Sequence, residues 1–182
     1  MLLSHNRLIQ LIDGGVINAP KENVNASSID LTLNGTIMVE WGRPNESSIY
    51  IDISKKENIR MLKTSIPEKG YQLAPDQFIL ACSNEFFNLP NNISAEYKLK
   101  SSMARNGLEH LNAGWADAGW HGSRLTFEFK NMTQEHYLIL REGMKIGQMV
   151  FFEHEPVPEH ASYAVKGQYN NQKEVTESKE LK

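Results

Sequence analysis

Between Lys100 and Lys130 the chain reads KSSMARNGLEHLNAGWADAGWHGSRLTFEFK, and this stretch gathers several side chains able to do chemistry together. Ser101 and Ser102 open MARNGL, which reads as one helical turn with a serine N-cap and Gly107 at its C-terminal position. Arg105 follows Ser101 by four residues, so a helical turn places both on one face. The free N–H groups at the start of such a turn suit a phosphate. Asp117 and Trp120 lie in a glycine-rich turn, and Glu128 lies on a strand. Each residue also has a plainer reading. Either serine can be a simple cap, and Arg105 can pair with Glu109 at i,i+4. Asp117 can be a turn residue and Trp120 a core residue. Glu128 shares the polar face of its strand with Thr126 and Lys130, and from pattern alone a solvated position is the simpler account.

The elements that must position these residues are mostly strands. Leu125, Phe127 and Phe129 alternate with Thr126, Glu128 and Lys130, the period of a strand with one buried face. Upstream, Leu2 to Ile12 has the spacing of a short amphipathic helix, with Ser4 as N-cap and Gly14-Gly15 as its stop. Ile29, Leu31 and Leu33 mark a half-buried strand, Asn34-Gly35 a hairpin turn, and Thr36 to Trp41 the returning strand. Gly42 to Ser48 reads as a polar loop, Ile49 to Ile53 as another alternating run, and Ser54 to Gly70 as the least regular part. QFILAC, EFFNLP, AEYKL, YLIL and IGQMVFF supply further strands. After Pro158 the hydrophobic pattern fades into a polar segment expected to be mobile. Many short strands with almost no helix predict a mostly β barrel or sandwich.

Composition narrows the function classes. The chain has 182 residues and a net charge of -3, with acids and bases interspersed, which argues against a nucleic-acid partner. No apolar run approaches the roughly 20 residues that span a bilayer. With no signal-peptide pattern at the start, a cytoplasmic location is expected. Cys82, the single cysteine, excludes an intrachain disulfide and any zinc site built on two or more thiolates of one chain. Its place in FILAC reads as a small core residue.

Several motifs in order resemble the dCTP deaminases of the dUTPase-like trimeric β-barrel superfamily. They are SSIDLTL, FILACSNEFFNLP, KSSMARNGL, NAGWADAGWHGSRLTFEFKN and LREGMKIGQMVFF, followed by KGQYNNQKEVTES, which looks like a C-terminal lid. The resemblance implies a distorted β-barrel of β-clip type over 1–158, a lid over 159–182, and a homotrimer with active sites shared between subunits. It also implies a deoxycytidine nucleotide as substrate, with Mg2+ held by the substrate's phosphates and no protein metal site. The deamination would be zinc-independent. The zinc deaminases rely on H-x-E and P-C-x-x-C, and neither occurs here.

By the same resemblance, Glu128 is the general base and acid, and Ser101 and the Ala113 carbonyl hold the attacking water. Arg105 orients the glutamate and stabilises charge. Lys100 and Ser102 take phosphate, Asp117 accepts from the sugar 3′-OH, and the Trp120 ring packs on the deoxyribose. Thr126 and Phe127 present backbone groups to the cytosine edge. Tyr163, Lys166, Gln168, Tyr169 and Gln172 are the lid contacts. Gln168 stands where lysine is expected, and Glu174-Val175-Thr176 where glycine and proline are common. The leading expectation is deamination of dCTP to dUTP and ammonia. The alternatives are a bifunctional enzyme giving dUMP and pyrophosphate, a dUTPase, and a nucleotide-binding regulator without turnover. Glu128 separates the deaminases from a dUTPase, which needs no carboxylate beside the amine-bearing carbon.

Overall fold

The computed structural model describes residues 1–42, 50–55 and 57–179. Two 11-residue strands form its spine, β5 (Phe78–Asn88) and β9 (His121–Asn131). They pair antiparallel from Phe78↔Lys130 to Asn88↔His121, with an irregularity between Cys82 and Phe86. Around them run β1 (Ile29–Thr32), β2 (Thr36–Glu40), β3 (Met61–Ser65), β4 (Tyr71–Leu73) and β6 (Ile93–Leu99). The remaining strands are β7 (Leu108–His110), β8 (Trp115–Ala116), β10 (Leu138–Leu140) and β11 (Lys145–Glu153). One sheet has the order β3-β2-β5-β9-β7, a second β1-β11-β6-β8, and β10 pairs with β4. Helix is confined to α1 (His5–Asp13), α2 (Ser101–Ala104), α3 (Tyr163–Lys166) and three 3-10 turns among the described residues. The protein is mostly β, as the alternating runs predict.

The strict alternation of β9 is realised in full. Leu125, Phe127 and Phe129 enter the main core, with the two phenylalanines at 0% exposure. Leu8 and Leu11 of α1 join the same core, and Gly14 caps that helix as expected, although Ser4 makes no side-chain cap bond.

Several local expectations are corrected. Asn34-Gly35 does not close a hairpin, because β1 pairs with β11 whereas β2 pairs with β3 and β5. The Asn34 amide instead bonds Asn84 Oδ1, and its N–H bonds the Cys82 carbonyl, so the turn carries the chain from one sheet to the other. β1 is buried on both faces, Asp30 included, because the Asp30 carboxylate is paired from above. The stretch expected to be least regular contains β3, which pairs with every residue of β2. Its MLKTS pattern does not alternate in hydropathy, so the free edge of β2 decides its conformation. FILAC and EFFN are one strand rather than two. The Gly42 to Ser48 loop falls almost wholly outside the described residues, and Ile49 does too. The rest of the 49–53 run forms no strand, and Ile53 opens a 3-10 turn.

The polar C-terminal segment packs on the strands, whereas its composition predicts mobility. Val175 is 4% exposed in a small cluster with Leu80 and Cys82, backed by Met38, Met61 and Phe78. One apolar side chain amid polar neighbours leaves no periodicity to detect. Backbone bonds then complete the docking, from Arg124 N–H to the Gln172 carbonyl and from Asn171 N–H to the His121 carbonyl. Cys82 is buried and free, as its apolar setting predicts.

Candidate active site

A cavity of about 530 Å³ opens over the outer face of β9, between the turn at Ala113–Trp120 and the C-terminal segment. Period two along β9 brings Arg124, Thr126 and Glu128 to its lining. The turn adds Ala113, Asp117 and Trp120, and the C-terminal segment adds Tyr163, Tyr169 and Gln172. Met61, Phe78 and Leu80, from strands of the same sheet, make the lining apolar on one side. Leu80 is the direct cross-strand partner of Glu128, so the carboxyl sits beside hydrocarbon.

Burial pushes the Glu128 pKa up to about 7, against the opposing effect of a backbone hydrogen bond. Its side chain keeps 26% exposure, enough to face the cavity. His110 Nε2 lies 3.3 Å from Glu128 Oε2, yet neither atom has an aligned hydrogen-bond partner. Desolvation pushes the His110 pKa down to about 4, so at neutral pH the ring is uncharged and the two do not form an ion pair. The site thus holds a carboxyl that exchanges its proton near neutrality, the property a general acid and base needs.

The turn is held from both ends. Asp117 Oδ1 accepts from Trp115 Nε1 at 2.8 Å, which orients the carboxylate. Trp120 stacks on Phe87, with centroids 5.1 Å apart, and its Nε1 donates to the Tyr169 carbonyl. Gly119, at φ 89°, lets Ser162 come against the turn, where an added Cβ would lie 2.0 Å from Ser162 Oγ. Gln172 donates to Thr126 Oγ1, so the C-terminal segment reaches the strand that carries Glu128. The Leu111 N–H bonds the Glu128 carbonyl at 3.1 Å, and β7 pairs with β9 only from Phe129 to Asn131. Thr126 and Phe127 therefore lie on a part of the β9 edge that β7 does not cover. The Phe127 side chain is in the core, so only its backbone can face a ligand.

Not every predicted residue meets here. Lys100, Ser101, Ser102 and Arg105 do not line this cavity. Ser101 does not cap α2 either: Lys100 occupies the cap position without a side-chain cap bond. The Lys100 ammonium instead bonds Asp30 at 2.7 Å, and Lys145 approaches the same carboxylate at 3.3 Å. Burial works against the Asp30 charge, but bonds from Lys100, Asn25 and Lys145 outweigh it and hold its pKa below the usual range. Lys166 lines a neighbouring cavity that also touches Asp117, and the Gln168 carbonyl accepts from Lys179 Nζ. Sequence reasoning missed Arg124 and His110. Arg124 shares the period-two face of Thr126 and Glu128, and that was its signal. Its guanidinium bonds the carbonyls of Ser83 and Lys173, tying β5 to the C-terminal segment. His110 alternates with Leu108 on a buried face, where a histidine is unusual.

The sequence profile of the dCTP deaminase-like family matches residues 2–154. The chain belongs to the dCTP deaminase-like family. It is 34% identical to a protein of Aquifex aeolicus named "dCTP deaminase, dUMP-forming", across 98% of this chain and 94% of that one. A Persephonella marina protein of the same name is 32% identical, across 98% and 97%. Among solved structures, the 2′-deoxycytidine 5′-triphosphate deaminase of Agrobacterium tumefaciens aligns with a TM-score of 0.62 and 20% identity. That alignment covers 82% of this chain and 47% of the other, so the chain spans about half of that protein's length, and the likeness is one of fold. Among the described residues of this family member, no helix is long and apolar enough to cross a membrane.

Proposed function

We propose that this dCTP deaminase-like protein converts dCTP and two waters to dUMP, ammonia and pyrophosphate. The observation that carries the deamination is Glu128, a carboxyl with a pKa of about 7 lining a cavity shaped by Asp117, Trp120 and Thr126. Sequence reasoning placed dUTP first among products. The relatives named dUMP-forming move the preference to the bifunctional alternative.

Glu128 takes a proton from the water that adds to the amine-bearing ring carbon. It then returns protons to the neighbouring ring nitrogen and the departing amine. The Ala113 carbonyl, at the cavity wall, is one anchor for that water. Asp117 accepts from the sugar 3′-OH with the oxygen that Trp115 leaves free, and the Trp120 ring bounds the deoxyribose. Backbone groups of Thr126 and Phe127 meet the base edge. Residues 159–182 act as the lid, with Tyr163, Tyr169 and Gln172 over the nucleotide and Lys166 beside the phosphates. Gln168 is a weaker member of this set, since its carbonyl is already engaged by Lys179. Mg2+ enters with the substrate, held by phosphate oxygens.

Ser101, Ser102, Arg105 and Lys100 complete the site from a neighbouring subunit of a trimer. Their absence from the lining of this chain's own cavity supports that reading. Incubation with dCTP and Mg2+, following ammonia and nucleotides, tests it. Release of dUMP, pyrophosphate and ammonia is expected. Accumulation of dUTP with ammonia would return the simpler deaminase. Pyrophosphate from dUTP, with no ammonia from dCTP, would overturn both.

A further inference from the structure

Three buried side-chain atoms have no hydrogen-bond partner among the described residues: Tyr97 Oη, His110 Nε2 and Glu128 Oε2. They belong to one cluster. The Tyr97 and His110 rings lie 4.5 Å apart, His110 Nε2 lies 3.3 Å from Glu128 Oε2, and Tyr97 feels the Glu128 charge. Tyr97 is 3% exposed and His110 5%, so bulk water does not satisfy either. Unpaired buried polar atoms are costly and are normally bridged by ordered water or paired.

The surroundings are built to bring the hydroxyl there. Gly147 of β11 faces Tyr97, and a Cβ at that position would lie 2.2 Å from Tyr97 Oη. Tyr97 N–H bonds the Gly114 carbonyl, which ties the tyrosine to the turn that leads into the cavity. The Leu111 N–H on the Glu128 carbonyl fixes the end of β7, and His110 with it, against the strand that carries the carboxyl.

We propose that the Tyr97 hydroxyl and the His110 ring, joined by an internal water, hold Glu128 from the core side and orient it toward the cavity. Both are positioning residues, and the inference rests on the reading of Glu128 as the proton-transferring group. The Nε2–H of the neutral His110 ring and the tyrosine O–H each donate to this water, which donates in turn to Oε2, so the two atoms left without an aligned partner at 3.3 Å are bridged. Each donation favours the charged form, opposing the desolvation that raises the Glu128 pKa. The other groups near Glu128 are few. β7 also brings Glu109, and Lys130 on β9 is paired with Asp76. β5 contributes Cys82, whose thiol burial pushes up to about 11. Arg124, Asp117 and Glu177 lie elsewhere on the cavity wall, with the Tyr163 and Tyr169 hydroxyls of the C-terminal segment.

Tyr97→Phe deletes one oxygen and keeps the ring packing. If the hydroxyl were only a structural burden, turnover would be unchanged and the melting temperature equal or higher. The expected result is a rise of about one unit in the acidic limb of the kcat profile and a kcat lower by about fivefold at pH 7, the loss in ionised fraction that such a rise produces. KM stays unchanged. His110→Phe acts in the same direction, and His110→Gln, which keeps an N–H, restores part of the activity. The Glu128 carboxyl is also titrated without substrate by carbon-13 NMR, with Glu128→Gln identifying its resonance, and it moves upward in Tyr97→Phe. An unmoved titration and profile in Tyr97→Phe overturn the inference while leaving the dCTP reading intact. Failure of the parent protein to turn over dCTP overturns that reading instead, and the titration still decides on Tyr97.

Discussion

Glu128 gains its reactivity from a loss of stability. Its pKa rises from an ordinary 4.5 to about 7 because the folded state removes water from the carboxylate. Below about pH 4.5 the group is neutral in both folded and unfolded chains, so it contributes no difference. As pH rises through 7 the folded chain bears the full penalty of the buried charge, on the order of 1–3 kcal/mol given its partial exposure. Glu128→Gln should therefore melt at a higher temperature than the parent at pH 8, with the gap closing toward pH 4.5. The same variant should keep nucleotide binding and lose dCTP turnover by at least about 10²-fold. Calorimetry across pH, beside an ammonia assay, checks both halves. Equal melting temperatures at pH 8 would show that Glu128 is solvated, which is the simpler reading its strand pattern allows.

Elements place residues that spacing alone could not. β1 carries Asp30 into a position where one carboxylate serves two ammonium groups, from Lys100 before α2 and Lys145 on β11. Its lowered pKa means that the stabilisation is present above about 3.8 and is lost as pH falls through the folded value. Asp30→Asn should lower the melting temperature by at least about 3 °C at pH 7, with the difference shrinking in acid. The C-terminal segment is anchored by Val175 against Leu80 and Cys82. Val175→Asp would put a charge against Leu80 and Cys82 without a partner. The expected outcome is faster proteolysis after residue 158 and a KM for dCTP raised at least about fivefold, with a nearly unchanged melting temperature for the rest of the domain. An unaltered KM would mean that the segment does not cover the substrate.

At the scale of the molecule, one cavity holds the base-side groups while α2 stands outside its lining. If a closed ring of three subunits completes each site, two inactive variants can repair one another. Ser101→Ala and Glu128→Gln, unfolded together and refolded at equal amounts, should regain about a quarter of the parent activity, because that fraction of sites draws both intact halves. Each variant refolded alone should stay inactive. Light scattering should give three times the chain mass. An active monomer, or no recovery on mixing, would remove the shared site.

The strict alternation of Leu125 to Phe129 determined a strand with one core face, and with it the outward direction of Glu128. The order of motifs along the chain was enough to indicate the family. These features are local, since a period of two and a short motif are properties of adjacent residues. The single strand of β5, the crossing at Asn34-Gly35 and β3 on the edge of β2 depended on which strand lay alongside, and that is a long-range choice. The same is true of Val175, one apolar residue whose partners lie about a hundred positions away. Only tertiary structure could set His110 and Tyr97 beside Glu128, because three strands from separate parts of the chain must meet before the carboxyl is buried and its core side has groups to face.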